Sequence, residues 1–297
     1  MKKSLAFIPS AIALVAALAA PLSAQAHRGW IMPSSTVLSG DSAWVGFDAG
    51  SSNEVFVADH NAMRLNNLTV MAPDGSAVAA EHVMQGQYRS TFDIHLTQPG
   101  TYKIANASSG VTASWMLDGV AGRWRGQAAE LAANVPAGAT DVVTATNSNR
   151  LETFVTLGAP TTTVFTPMGQ GLEMVPVTHP NDLIAGEAAT FQLLKDGQPL
   201  ADANVTVARG GKRYRDATEE ATVKTGADGK FTVTWTEPGM YWLNTNTRAE
   251  QADAPPAEGM GGPGAGGPGA GGPGGGGGRG GPPTSSAQYT VVLEVLP

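Results

Sequence analysis

The sequence contains no cysteine, so neither a disulfide nor a thiolate metal cluster can staple it. Charged residues make up only 14% of the 297, about half the usual quarter. A coiled coil and long solvated helices, which need more Leu, Glu and Lys, are therefore excluded. No Lys/Arg block occurs, and 18 basic residues stand against 25 acidic ones for a net charge of −7. A polyanion would be repelled, which removes nucleic acid as a partner. Local signatures of catalysis are missing too. There is no H-E-x-x-H to seat zinc on a helix and no G-x-S-x-G for a hydrolase elbow. A tight structural zinc site and nucleophilic catalysis have nothing to stand on, and the expectation is a protein that is not an enzyme.

What the chain does have is Gly, Pro, Val, Thr and Ala in the proportions of short strands joined by tight turns. It opens with an export segment. Lys2 and Lys3 precede an apolar run from Leu5 to Ala20, followed by Pro21 and Ala24-Gln25-Ala26. Charge, apolar stretch and small residues in that order read as a secretory signal peptide over residues 1–26, cleaved after Ala26. No second run approaches the roughly 20 apolar residues of a membrane span. The expected product is acidic, soluble, not inserted in a membrane after cleavage, and periplasmic.

An internal repeat organises the rest. Phe92-Asp93-Ile94-His95-Leu96-Thr97-Gln98-Pro99-Gly100-Thr101-Tyr102-Lys103-Ile104 is echoed by the segment from Phe231 to Leu243. Both copies alternate apolar and polar residues, turn at Pro-Gly and resume with Tyr two residues later, which predicts a strand, tight turn, strand unit in each half. Further strands are expected at Ser42 to Phe47, Asn67 to Met71, Ser114 to Leu117 and Leu151 to Leu157. In the second half they are expected at Leu172 to Val177, Ala188 to Leu194, Asn204 to Val207, Ala221 to Lys224 and Tyr289 to Val295. Turn signals about every ten residues suggest sandwiches rather than βαβ units. One short helix is expected around Gln127 to Ala133. The Gly/Pro run between Glu250 and Pro283 has almost nothing to bury and reads as a disordered loop. Neither a strand-turn before it nor a helix after it is present to make it a phosphate loop. The expectation is all-β: two tandem immunoglobulin-like or transthyretin-like sandwiches at 27–160 and 170–297, the second carrying the insertion at 251–286.

Cleavage after Ala26 would make His27 the first residue. A free α-amine and an imidazole both shed protons near neutral pH, and through Nδ1 they close a six-membered chelate. One more imidazole would complete a three-nitrogen, histidine-brace-like site suited to copper(II) or nickel(II). The candidates for that role are His60, in Asp59-His60-Asn61, where Asp59 is a ligand or a supporting partner; His82, beside Glu81; and His179, in Thr178-His179-Pro180-Asn181-Asp182. Each is set against a plainer reading, exposed loop residues for His60 and His82 and a hinge or turn for His179. His95 falls on the polar face of its strand and is expected to be solvated. Gly29 at the third position excludes a clamp needing His there. Trp44 and Trp115 lie inside strand-like runs and are expected to pack in a core or at an edge, while Arg123-Trp124-Arg125 reads equally as packing or as a stacking platform.

Ala26-His27-Arg28-Gly29-Trp30-Ile31-Met32-Pro33-Ser34, together with Leu172-Glu173-Met174-Val175-Pro176, His179-Pro180-Asn181-Asp182-Leu183, Asp196-Gly197-Gln198-Pro199-Leu200 and Thr225 to Phe231, resembles an uncharacterised bacterial exported family. Its members are labelled as the periplasmic component of cobalt or nickel transport systems, and its second domain is similar to transthyretin and carboxypeptidase-regulatory sandwiches. The resemblance spans nearly the whole chain outside the Gly-rich run. It implies metal handling with His27 as a ligand, and with the nitrogen donor set the expected role is capture of nickel, cobalt or copper and hand-over to an ABC-type or energy-coupling membrane transporter. The alternatives are a structural or adhesive exported module without metal, and a copper-dependent polysaccharide monooxygenase using the same His27.

Overall fold

The computed structural model describes residues 27–215, 219–248 and 284–297. The leader expected at 1–26 and residues 251–283 of the expected insertion lie outside the described residues. The first half holds β1 (Arg28–Pro33), β2 (Val37–Leu38), β3 (Ala43–Ser52), β4 (Asn61–Ala62), β5 (Leu68–Met71), β6 (Ala77–Val78), β7 (Glu81–Gln85) and β8 (Ser90–Leu96). Then come β9 (Gly100–Leu117), β10 (Val120–Gly126), the single-turn helix α1 (Leu131–Asn134) and β11 (Thr140–Leu157). The second half adds β12 (Leu172–Pro176), β13 (Ala188–Lys195), β14 (Gln198–Pro199), β15 (Asn204–Arg209) and β16 (Glu220–Lys224). It closes with β17 (Lys230–Thr234), β18 (Gly239–Arg248) and β19 (Ser286–Val295).

Three sheets result. A front sheet runs β1-β3-β8-β7 with β4 on β3, and a rear sheet runs β12-β13-β14 with β17 on β13. Between them lies a ten-stranded central sheet in the order β16-β15-β18-β19-β11-β9-β5-β6, with β10 on β9 and β2 on β11. The all-β sandwich expectation holds, but the halves are joined more closely than tandem units, because β11 of the first pairs in parallel with β19 of the second from Asn147↔Ser286 to Thr153↔Val292.

The front and rear sheets sit on opposite faces of that central sheet. On β11, Leu151 and Val155 point into the front core with Ile31, Phe47 and Ile94, while Phe154 points the other way, into the rear core with Phe191, Tyr289 and Leu293. On β19, Val292 faces forward with Trp30 and Trp242. Strands covered on both faces read as continuous apolar runs, which accounts for Phe154-Val155 and Val291-Val292-Leu293.

The repeated unit is not a hairpin. β8 belongs to the front sheet and β9 to the central sheet; β17 belongs to the rear sheet and β18 to the central one. Each Pro-Gly corner carries the chain across a sandwich, since Phe92, Ile94 and Leu96 must meet Tyr102 and Ile104 across one core rather than lie beside them. Gly100 and Gly239 take φ of +131° and +138°, open only to glycine. The tyrosine after each corner locks it: Tyr102 donates its hydroxyl to the Gln98 carbonyl at 3.1 Å and Tyr241 to that of Glu237 at 2.8 Å, in the manner of a tyrosine corner.

The helix expected near Gln127 is a 3-10 turn at Ala128–Glu130 running into α1, stopped before Pro136. The outer part of β9, β10 and β11 forms a three-stranded ribbon beyond both sandwiches. On it the Trp115 indole lies flat against Gly122 and that of Trp124 against Gly126, so close that a Cβ at either glycine would meet the ring at 2.3 Å.

Candidate functional site

β3 ends between two neighbours. On one side β1 pairs Arg28 with Ser52; on the other β4 pairs Asn61 with Ser51 and Ala62 with Gly50. His27 immediately precedes β1 and His60 immediately precedes β4, so both histidines flank the last residues of one strand. Their rings stack with centroids 3.5 Å apart and planes 12° from parallel. His27 is exposed and His60 half-buried.

The support beneath this pair is built from both halves of the chain. Trp30, fully buried, donates its indole N–H to the Ser52 hydroxyl at 2.8 Å. The side chain of Asp59 accepts the Asn53 amide at 3.0 Å, closing the loop that leads to His60. Lys212 from the second half holds Glu54 in the same loop. Phe56 sits at φ +63°, rare for a bulky residue, with its ring against the backbone of Gly210. Beneath β1, Trp242 donates to the Gly29 carbonyl at 2.9 Å, and Arg28 lies over the Trp242 ring at 5.2 Å while pairing with Glu220 at 2.7 Å. Sequence reading missed Trp242, Glu220 and Lys212, since nothing local ties them to β1 or to the Glu54 loop, 158 to 213 positions away.

Imidazole lone pairs lie in the ring plane, so planes 12° from parallel keep the two sets from converging, and coordination of one ion by both rings requires one ring to turn. The exposure of His27 leaves it free to do so. Among the described residues no group of three or more His, Asp or Glu side chains is arranged to hold a metal. Tetragonal coordination here would rest on the two imidazoles and the His27 main-chain nitrogen.

The remaining candidates lie elsewhere. His82 is on β7, at φ +50°, with Nδ1 2.9 Å from Asp93 on the outer face of the front sheet. On the same face Trp44 stacks on His95 at 4.4 Å and 3°. Trp44 was expected to pack in a core or at an edge; it is 49% exposed, because its neighbours Val45 and Phe47 take the inward positions of β3. His179 is half-buried where the halves meet. Its Nε2 lies 3.0 Å from the Thr101 hydroxyl and 3.3 Å from the Thr161 carbonyl, and its Nδ1 accepts the Asn181 amide at 3.2 Å. Both nitrogens are engaged by the protein, and burial pushes its pKa below 6.5. It sits against Thr101, which hydrogen-bonds Thr156, whereas Gly29 lies against Leu151. Five residues of β11 separate those places, roughly 16 Å.

Beside His27 and Arg28 a cleft of about 1160 Å³ opens over the central sheet, with Arg125 on its far side. By strand alternation Arg123 and Arg125 face opposite to Trp124, so the three do not form one stacking platform.

The chain belongs to the family described as a domain of unknown function, DUF4198, whose model matches residues 24–249. No curated protein matches it. Among solved structures it is similar to the D0-D1 domain of intimin at 12% identity and a TM-score of 0.22, covering 90% of this chain and 97% of that one. It is also similar to the D00-D0 domain of intimin at 12% identity and a TM-score of 0.17, covering 76% and 95%. A third similarity is to dimeric latent PorU from Porphyromonas gingivalis, at 12% identity and a TM-score of 0.17, covering 90% of this chain and 20% of that one.

Proposed function

We propose that this DUF4198 chain is an exported carrier of a transition-metal ion, copper(II), nickel(II) or cobalt(II), captured at its processed amino terminus. The observation that carries this reading is the 3.5 Å stacking of His27 on His60. Cleavage after Ala26 would add the α-amine of His27 to the two imidazoles. Three nitrogens are the donor set that tetragonal copper(II) and nickel(II) favour.

The neighbouring charge suits a cation. Arg28, which would otherwise repel it, is neutralised by Glu220 at 2.7 Å and drawn onto the Trp242 ring. Among the described residues nothing encloses the exposed His27, so the ion would be held at a rim from which a partner could take it. The role is capture in the periplasm and hand-over to a membrane transporter rather than catalysis.

Calorimetry and visible spectroscopy with copper(II), nickel(II) and cobalt(II), on protein beginning at His27, test the reading. Binding of one ion is expected, falling at least tenfold when a glycine precedes His27 and again in His60→Ala. Binding that ignores both changes, or none at all, overturns it and leaves a structural module of two sandwiches.

A further inference from the structure

The forward face of the central sheet changes character where β1 begins. Under β1 it is apolar, with Trp242 and Val292 packed on Trp30 and Leu151 on Gly29. Beyond His27, past the end of β1, the same face of the same strands turns to amides and hydroxyls. On β19 the opposite face does not change: Ala287, Tyr289, Val291 and Leu293 stay in the rear core throughout. On that strand the switch is thus confined to the face that floors the 1160 Å³ cleft beside His27.

That floor has a regular arrangement. Strand register places Asn246 opposite Gln288, Gln288 opposite Asn149, and Asn149 opposite Ser108. One row therefore crosses β18, β19, β11 and β9, three strand spacings or roughly 14 Å long. All four residues line the cleft. Among the described residues the side-chain amides of Asn149, Asn246 and Gln288 make no hydrogen bond or ion pair, unlike neighbouring Asn244, which is tied to Tyr289 and Thr290. Each free amide offers a donor and an acceptor side by side. Charge is sparse: Arg28 and Glu220 cancel, and among the described residues Arg125 is the one charged lining side chain without a partner.

We propose that this row is a binding surface for a glycan chain laid across the strands, with one end at His27. Hydroxyls donate and accept at once, as amides do, and a repeating chain of them matches a row of paired donors and acceptors at regular spacing. A nearly uncharged floor selects against compact anions and basic peptides, while Arg125 adds a contact for a uronate. Nothing in this requires a metal.

The test uses the full processed chain, with EDTA present and a glycine before His27, so that loss of the metal site and loss of the glycan surface are read separately. Affinity electrophoresis and calorimetry against cellohexaose, chitohexaose and oligogalacturonate form the panel. Retention by at least one glycan is expected, weakened at least tenfold in the Asn149→Ala/Gln288→Ala variant; Arg125→Ala should weaken oligogalacturonate alone. Because these side chains are exposed or half-buried, unchanged circular dichroism and melting temperature establish that the variants are folded. No binding to any of the three, or binding indifferent to the double variant, overturns the proposal.

Discussion

Trp242 donates its indole N–H to the carbonyl of Gly29 at 2.9 Å, across 213 residues of sequence. This bond, with the Arg28 guanidinium above the same ring, fixes the first strand to a sheet made by the last ones. The position of His27 depends on it, because among the described residues His27 has no ladder partner of its own. Trp242→Phe keeps an aromatic ring but removes the donor and weakens the cation–π contact. A loss of about 1–2 kcal/mol is expected in urea unfolding. The ring-proton resonances of His27 and His60 should also lose their mutual ring-current shift. Retention of that shift in Trp242→Phe would mean that β1 is held by other contacts.

Tyr289→Phe should be costly despite its near-identical volume. The Tyr289 hydroxyl donates to the buried Glu152 carboxylate at 2.8 Å, and burial pushes its pKa well above 10, so it remains a donor. Without it Glu152 keeps, among the described residues, only Arg150, at 3.5 Å. An under-satisfied buried carboxylate predicts a loss of about 1.5–3 kcal/mol, measurable in denaturant.

The histidine where the halves meet gives the fold a pH dependence. Burial lowers the pKa of His179 in the folded chain below 6.5. Below that value the unfolded chain takes up a proton that the folded one refuses, so this contribution is full above about pH 6.5. It is lost as pH falls towards the folded pKa and flattens once the folded form is also protonated. The melting temperature should therefore drop between pH 7.5 and pH 5 by more in the wild type than in His179→Gln. Equal drops would place the dependence elsewhere.

Gly50→Ala tests the packing beneath the histidine pair. A Cβ there would lie 2.8 Å from the Trp30 ring, pushing Trp30 away from Ser52. Overpacking of about 1–3 kcal/mol is expected, and near-ultraviolet circular dichroism from Trp30 should change with it.

The sequence by itself determined the class of structure and much of its local detail. Absence of helix-forming charge, period-two alternation and the paired Pro-Gly-x-Tyr corners are consequences of neighbouring residues, and they survive in β8, β17, Tyr102 and Tyr241. Alternation also places His95 on an outer face. What alternation cannot say is which strand lies beside which. That β8 and β9 belong to different sheets, that β11 pairs with β19, and that Trp44 is exposed were decided by how apolar faces from distant segments cover one another. For the same reason the tertiary structure alone selected His60, rather than His82 or His179, to stand beside His27. The side of a strand is set by the residue next door, but its neighbour in the sheet is set by the burial of the whole chain.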